Sequence, residues 1–366
     1  MSVSKPVNLH EYEETARTHL PEGQYDYIAG GVADEISLRR TRDVLDAILL
    51  RRRVLTDVSR VCLATTVLGT PVSTPLMIAP AGFHDRAHPD GERATAAAAD
   101  ATDVLMVASV NSSVTLEEIA AASKGPRWFQ MNIYESRDVT RHFIDRAVAA
   151  GYRALCVTLD TPPYPPRRER LIRHAYRQVP SPNFADFAVG AEDWTARDTT
   201  GTNVLISRST TADDLAWLVG ESPIPVVAKG IMTAEDAQVC SDCGVAAVIV
   251  SNHGARTLDT TPAPIEVLPE IAEQIGQRVE VYVDGGIRRG TDILKALALG
   301  ARAVLIGRPL FWGLAAGGAD GLVEVITLLR DELRTAMAAC GQTDAAAVQR
   351  QVVLLNSPLV ERRFIE

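Results

Sequence analysis

The segment GVAAVIVSNHGARTLD, residues 244–259, joins a continuous apolar run to a dense group of polar side chains. The run AAVIV does not alternate between apolar and polar residues, as a strand with one solvated face would. A strand that is apolar on both faces is typical of a parallel sheet covered by helices. The polar residues that follow, Ser251, His253, Arg256 and Asp259, would then stand where such a strand ends.

Eight runs of this kind occur between residues 75 and 308, separated by polar or glycine-rich turns and helical stretches. They are PLMIAP (75–80), VLMVAS (104–109), RWFQMNI (127–133), ALCVTLD (154–160), PVVAKG (225–230), AAVIVS (246–251), VEVYVD (279–284) and AVLIGR (303–308). Eight buried strands that alternate with helices predict an α/β fold, the (β/α)8 TIM barrel. A doubly wound open sheet would more often carry a G-x-G-x-x-G turn after its first strand, and none follows PLMIAPAGF.

Two segments depart from this alternation of apolar runs and helical stretches. Residues 1–70 predict an N-terminal helical extension, because helical stretches broken by a Gly-Gly turn fill residues 8 to 50. Residues 161–224 form an insertion rich in proline and charge. Its position after a barrel strand predicts a lid over the active-site face, with a surface loop of no function as the alternative. The whole chain, 1–366, is expected to be a single domain.

The composition argues against several classes of protein. A formal net charge of −9 disfavours nucleic acid or an anionic membrane as the main partner. We expect neither a signal peptide nor a transmembrane helix, because the apolar stretches are short and interrupted. The five cysteines are scattered, which suits reduced thiols in the cytoplasm. Cys240 and Cys243 form a C-x-x-C pair without a second pair, so no metal site is predicted.

Polar residues and glycines follow nearly every apolar run. In a (β/α)8 barrel these positions converge on one mouth, where buried polar groups are costly unless a ligand or one another satisfies them. A bound polar cofactor and substrate would account for them. The residues are Pro80, Ala81, Gly82, Ser109, Gln130, Asn132, Thr158, Asp160, Lys229, Ser251, His253, Arg256, Asp284, Gly285, Gly286, Gly307 and Arg308.

The last two runs predict a phosphate site. DGGIRRG (284–290) and IGRP (306–309) follow them, and their glycines allow backbone N–H groups to approach a ligand closely. Arg288 and Arg308 stand beside these glycines. The loops after strands seven and eight are the usual phosphate site of such barrels.

Four motifs resemble the FMN-dependent α-hydroxy-acid oxidase and dehydrogenase family: KGIMTAEDA (229–237), SNHGARTLD (251–259), DGGIRRGTDILKALALGARAVLIGRPLFWGLAAGG (284–318) and AHPDGE (87–92). That family includes glycolate oxidase, lactate oxidase, mandelate dehydrogenase and 4-hydroxymandelate oxidase. The resemblance extends from YDYIAGG (25–31) to GRPLFWG (307–313). It implies an FMN cofactor, an α-hydroxy-acid substrate, oxygen or another electron acceptor, and a homotetramer.

The resemblance also implies a role for each site residue. His253 would be the catalytic base with Asp160 as its partner, Lys229 would stabilise the reduced flavin, and Arg256 would serve both catalysis and substrate binding. The substrate residues would be Tyr27, Asn111, Asn132, Arg168 and Arg256. The FMN residues would be Pro80, Ala81, Gly82, Ser109, Gln130, Thr158, Lys229 and Ser251 at the ring, and Asp284, Gly286, Arg288, Gly307 and Arg308 at the ribityl chain and phosphate.

Three positions depart from the family pattern. Asn132 stands where the family usually has a tyrosine, and Asn111 where a large apolar residue is common. DTPPYPPRRE (160–169) has one extra residue, so Arg167 could take the place of Arg168. These changes predict a roomier, more polar pocket and a substrate larger or more polar than glycolate, such as 4-hydroxymandelate. For Asn132, the alternative is neutral drift at a tolerant position. For the protein, the alternative functions are oxidative decarboxylation, amine oxidation and flavin binding without catalysis.

Overall fold

Eight parallel strands close into a barrel in the computed structural model, which describes residues 5–161, 166–174, 181–187 and 205–355. The strands are β1 (Leu76–Ile78), β2 (Leu105–Ser109), β3 (Arg127–Met131), β4 (Leu155–Thr158), β5 (Val226–Ile231), β6 (Ala247–Val250), β7 (Glu280–Asp284) and β8 (Ala303–Ile306). Because β1 pairs with both β2 and β8, the sheet has no free edge. The predicted TIM barrel is confirmed, and each apolar run overlaps one strand.

At least one helix lies between every two successive strands, and α12 follows the last strand. In chain order the helices are α1 (Leu9–His19), α2 (Glu22–Ala29), α3 (Ile36–Ala47), α4 (Gly91–Thr102), α5 (Leu116–Ala121), α6 (Arg137–Ala149), α7 (Glu169–Arg173), α8 (Ala212–Glu221), α9 (Ala234–Asp242), α10 (Pro264–Ile275), α11 (Gly290–Ala298) and α12 (Arg308–Ala339).

Helix α12 is the one helix of the described ranges that is long and apolar enough to cross a membrane. It is kinked at Gly317 and Gly318, where the backbone leaves helical geometry. It packs against α1, α4 and α11, and Leu322, Leu329 and Leu333 are fully buried. These contacts make α12 part of the barrel's outer helical layer.

The predicted helical extension, residues 1–70, is wrong beyond Ala47. Helices α1 to α3 confirm its first part, but a β-hairpin of Thr65–Val67 and Thr70–Val72 occupies its end. Val67 and Val72 are buried and belong to the same apolar cluster of the barrel interior as Trp128. The hairpin therefore fills the barrel end opposite the strand termini that carry the polar residues.

The insertion predicted as a lid, residues 161–224, includes a helix of the barrel at its carboxyl end. Helix α8 lies inside those bounds but buries Leu215 and Leu218, so it belongs to the outer layer of the barrel. Of the remaining insertion, α7 and a 3₁₀ turn at Pro182–Phe184 are described. Residues 162–165, 175–180 and 188–204 of the predicted lid lie outside the described residues.

Candidate active site

A cavity opens at the carboxyl ends of the barrel strands, and it gathers nearly all the predicted site residues. Only two of them, Asp160 and Ser251, do not line it. The predicted residues in its wall are Tyr27, Pro80, Ala81, Gly82, Ser109, Asn111, Gln130, Asn132, Thr158, Arg168, Lys229, His253, Arg256, Asp284, Gly286, Arg288, Gly307 and Arg308.

A histidine and a carboxylate form a hydrogen-bonded pair at one side of this cavity. His253 follows β6, and its Nδ1 lies 2.9 Å from Oδ1 of Asp160, which follows β4. Nε2 is thereby left to the cavity that His253 lines. Burial alone would raise the pKa of Asp160, but His253 and Lys229 together lower it. The carboxylate is therefore charged and can stabilise a proton on His253.

Glycine at position 230 makes this pair possible. Its φ of 101° lies in the left-handed half of the Ramachandran plot, and any Cβ there would overlap the Asp160 carboxyl group. The turn that carries the imidazole is also left-handed, with φ of 55° at His253 and 58° at Ala255. The Ser251 hydroxyl oxygen accepts the His253 N–H at 3.1 Å and helps to hold this turn. The backbone at the site is thus specialised for placing one side chain.

Lys229 is held by two side chains of neighbouring strands. Its Nζ donates to Ser251 Oγ at 2.9 Å and pairs with Asp284 Oδ2 at 3.1 Å. Burial would lower the pKa of Lys229, but Asp284 and Asp160 raise it, so the ammonium stays charged. Ser251 is fully buried behind the lysine. Ser251 does not line the cavity, and its hydroxyl bonds Lys229 and the His253 backbone. Its contact with the cofactor stays a prediction.

The ends of β2, β3 and β4 form a hydrogen-bonded wall. Ser109 Oγ donates to Gln130 Oε1, and Gln130 Nε2 donates to Thr158 Oγ1, both at 2.9 Å. Asn132 Nδ2 donates to Thr161 Oγ1 at 3.0 Å and to the Thr158 carbonyl at 3.3 Å. Asn132 is thus engaged in protein contacts, and Thr161, which also lines the cavity, is a wall residue that sequence reasoning missed.

Three arginines converge on the carboxyl end of α2. Arg168 Nη2 and Arg256 Nη1 both donate to the Tyr27 carbonyl, at 2.8 Å and 2.7 Å, and Arg308 Nε donates to the Ile28 carbonyl at 3.1 Å. The guanidinium groups of Arg168 and Arg256 also face the Tyr27 ring. Burial, together with the neighbouring cation Arg256, holds the pKa of Arg168 well below its usual range. The helix end supplies partial negative charge to these buried cations.

Arg167 and Arg168 differ in their position relative to the cavity. Arg168 is 2% exposed and lines the cavity, whereas the Arg167 side chain is 71% exposed and pairs with Glu169. A further cation was missed: the guanidinium carbon of Arg86 lies 4.7 Å from the centre of the Tyr27 ring. Its position in a 3₁₀ turn after β1 carries no sequence signal, because only the fold brings it to α2.

The far end of the cavity suits a phosphate. Gly285 and Gly286 have φ of 99° and 78°, and Gly307 has open space on its side-chain face. Burial and the charges of Arg256 and Arg288 lower the pKa of Arg308 to about 9, so an anion there would be strongly favoured. The donor set fits FMN: glycine backbone and two guanidiniums for the phosphate, and Lys229 with the Gln130 wall for a polar ring. A closed barrel with this cavity defines a flavin-dependent oxidoreductase.

Comparison with known proteins gives the family. The profile of the FMN-dependent dehydrogenase family matches residues 16–355. The chain is 45% identical over 350 residues to an L-lactate oxidase of Nostoc sp., covering 93% of this chain and 96% of the relative. It is 44% identical to a peroxisomal (S)-2-hydroxy-acid oxidase of Oryza sativa subsp. japonica, covering 97% of each. This protein belongs to the FMN-dependent dehydrogenase family.

Solved structures agree with this assignment. A mandelate oxidase superposes with a TM-score of 0.87 and 36% identity, covering 96% of this chain and 98% of that one. A soluble mutant of the membrane-associated (S)-mandelate dehydrogenase from Pseudomonas putida superposes with a TM-score of 0.89 and 34% identity, covering 96% and 100%. The protein is thus an FMN-dependent enzyme that oxidises an α-hydroxy acid, an oxidoreductase acting on CH–OH donors.

Proposed function

We propose that the enzyme converts an (S)-2-hydroxy acid, larger or more polar than glycolate, into the 2-keto acid, and that oxygen takes up the electrons as hydrogen peroxide. One observation carries this proposal: His253, bound to Asp160, faces the same cavity as Arg168 and Arg256. The relatives' names support the S configuration at the α-carbon of the substrate, since they specify L-lactate, an (S)-2-hydroxy acid and (S)-mandelate. Two of these names also specify an oxidase, which supports oxygen as the acceptor.

The charged residues divide the reaction between them. Arg168 and Arg256 bind the substrate carboxylate through charge-assisted bonds and orient the α-carbon. Oxidation removes two electrons and two protons from the substrate, and His253 Nε2 takes one of these protons. Asp160 then stabilises the imidazolium through Nδ1, and Lys229 stabilises negative charge at the ring. Bound FMN would supply the acceptor for the electron pair and for the second proton.

The pocket wall supports a substrate with a larger or more polar substituent. An asparagine takes up less volume than a tyrosine and keeps hydrogen-bonding capacity. Asn132 is folded back onto Thr158 and Thr161, and Asn111 offers a second polar group. An aryl hydroxy acid such as 4-hydroxymandelate meets these requirements.

The test is anaerobic bleaching of the FMN-loaded enzyme by glycolate, lactate, mandelate and 4-hydroxymandelate, each chiral acid in both hands. We expect the S acids with larger substituents to bleach fastest, and equal amounts of keto acid and peroxide to form under air. Fastest reduction by glycolate would refute the substrate class. A shortened acid among the products would indicate oxidative decarboxylation. Bleaching by amino acids would indicate amine oxidation. A yellow protein that none of these compounds bleaches would indicate a flavin-binding protein without turnover.

Cytoplasmic localisation and a homotetramer remain predictions. Light scattering on the purified enzyme tests the second: a mass about four times that of one chain is expected, and a monomer would contradict it.

A further inference from the structure

The side-chain amide of Asn111 has no hydrogen-bond partner within the described ranges, and its Oδ1 is buried. The backbone of this residue is firmly placed. Its N–H donates to Ser109 Oγ at 3.1 Å, and its carbonyl accepts the Phe83 N–H at 3.0 Å. Gly82 packs directly against that carbonyl. Because the backbone is fixed and the side chain lines the cavity, Asn111 cannot easily turn elsewhere for a partner.

The other asparagine of the cavity behaves differently. Asn132 Nδ2 donates to Thr161 and Thr158, and Asn132 Oδ1 accepts from Gln130 at 3.4 Å. A ligand would have to displace these bonds to use Asn132. Asn111 therefore has the hydrogen-bonding capacity that is free to meet a ligand, and a buried polar group without a partner is costly.

The barrel order indicates which part of the substrate reaches Asn111. The strands close in the order β7, β8, β1, β2, β3, β4, β5, β6, so β2 lies opposite β6. Asn111 follows β2, and His253 follows β6. A substrate held by its carboxylate at Arg168 and Arg256, with its reacting carbon at His253, directs the remaining substituent of the α-carbon across the cavity.

We propose that Asn111 is a specificity-determining residue that hydrogen-bonds a hydroxyl group on this substituent. The inference rests on the proposed function and narrows its substrate class to 2-hydroxy acids with a second hydroxyl. A hydroxyl both donates and accepts, so it can pair with the part of the amide that faces the cavity. An apolar substituent would leave the amide buried without a partner, and sites of this kind discriminate strongly against the analogue that lacks the hydroxyl.

The experiment compares substrates that differ by one hydroxyl group: L-glycerate with L-lactate, and (S)-4-hydroxymandelate with (S)-mandelate. In at least one pair, we expect the wild-type kcat/KM for the acid with the additional hydroxyl to exceed that for the analogue without it by about 10-fold or more. Asn111→Leu, of similar size, should reduce that ratio to about 2-fold or less. Ile206→Val is the control, because it changes the volume of the wall without changing its hydrogen bonds.

Each outcome decides the inference. A ratio near one in the wild type for both pairs would overturn it while leaving the oxidase function intact. An unchanged kcat/KM ratio in Asn111→Leu would also overturn it. So would a variant that loses FMN affinity but keeps the ratio, since Asn111 would then contact the cofactor and not the substrate hydroxyl. If none of the acids bleaches the flavin, the proposed function itself fails.

Discussion

Two walls of the same cavity satisfy their polar groups in different ways. The cofactor wall, defined as Ser109, Gln130, Thr158, Lys229, Ser251 and Asp284, is paired side chain to side chain. The substrate wall, defined as Tyr27, Asn111, Arg168 and Arg256, has guanidiniums that bond backbone carbonyls and an amide with no partner in the described ranges. The first is organised before any ligand binds, whereas the second keeps hydrogen-bonding capacity that a substrate can use.

This difference predicts whether a substitution reduces the stability of the fold or the binding and turnover of the substrate. A change in the cofactor wall breaks a buried network and should reduce the stability of the fold. A change in the substrate wall should reduce binding and turnover while leaving the fold nearly as stable. The His253–Asp160 pair stands between the walls, and its loss should affect the chemical step most.

The largest effect is expected for His253→Asn. Asparagine tolerates the left-handed backbone of this position but cannot act as the base. Anaerobic stopped-flow absorbance should show flavin reduction slowed about 10²- to 10⁴-fold, with bound FMN retained. Reduction within a few-fold of the wild-type rate would show that another group takes the proton.

Lys229→Met should be the most destabilising change. It leaves Asp284 buried without its cation, which typically costs about 3–5 kcal/mol of the free energy of unfolding. Urea unfolding of the apoprotein measures this, and Asn111→Leu, from the substrate wall, should cost less than about 1 kcal/mol in the same assay. Adding Asp284→Asn to Lys229→Met should recover part of the loss. Equal costs for the two single variants would remove the contrast between the walls.

Arg256→Lys should reduce kcat/KM by about 10- to 100-fold, because an ammonium cannot reproduce the planar fork of a guanidinium. Unfolding should change little. Arg167→Lys is a matched control, since that side chain is exposed and lies outside the cavity. A similar loss in both variants would point to a general charge effect in place of carboxylate recognition.

The smallest effect is a pH dependence of stability. The pKa of Asp160 is lowered in the folded state, so its contribution is present above pH about 4 and is lost as pH falls through the folded pKa. Urea unfolding of wild type and Asp160→Asn should therefore differ most near neutral pH and converge in acid. A difference that grows as pH falls would contradict the pairing with His253.

The sequence predicted the features that depend on strand position. It did not predict the side-chain contacts that depend on packing between distant segments. Continuous apolar runs located all eight strands, and residues after them converged because parallel strands end at one mouth. The inward turn of Ser251, the folded-back amide of Asn132 and the approach of Arg86 to Tyr27 depend on contacts between distant segments. The hairpin at residues 65–72 was missed because three-residue strands carry too little pattern.

The most direct test of the account is a single anaerobic turnover. Enzyme loaded with FMN is mixed with an excess of the best (S)-2-hydroxy acid, and the flavin absorbance and the keto acid are followed together. We predict full bleaching with one keto acid formed per flavin in the wild type, and almost none on the same timescale in His253→Asn. A purified protein that is colourless and does not take up FMN, or a bound flavin that stays oxidised with every hydroxy acid, would contradict it.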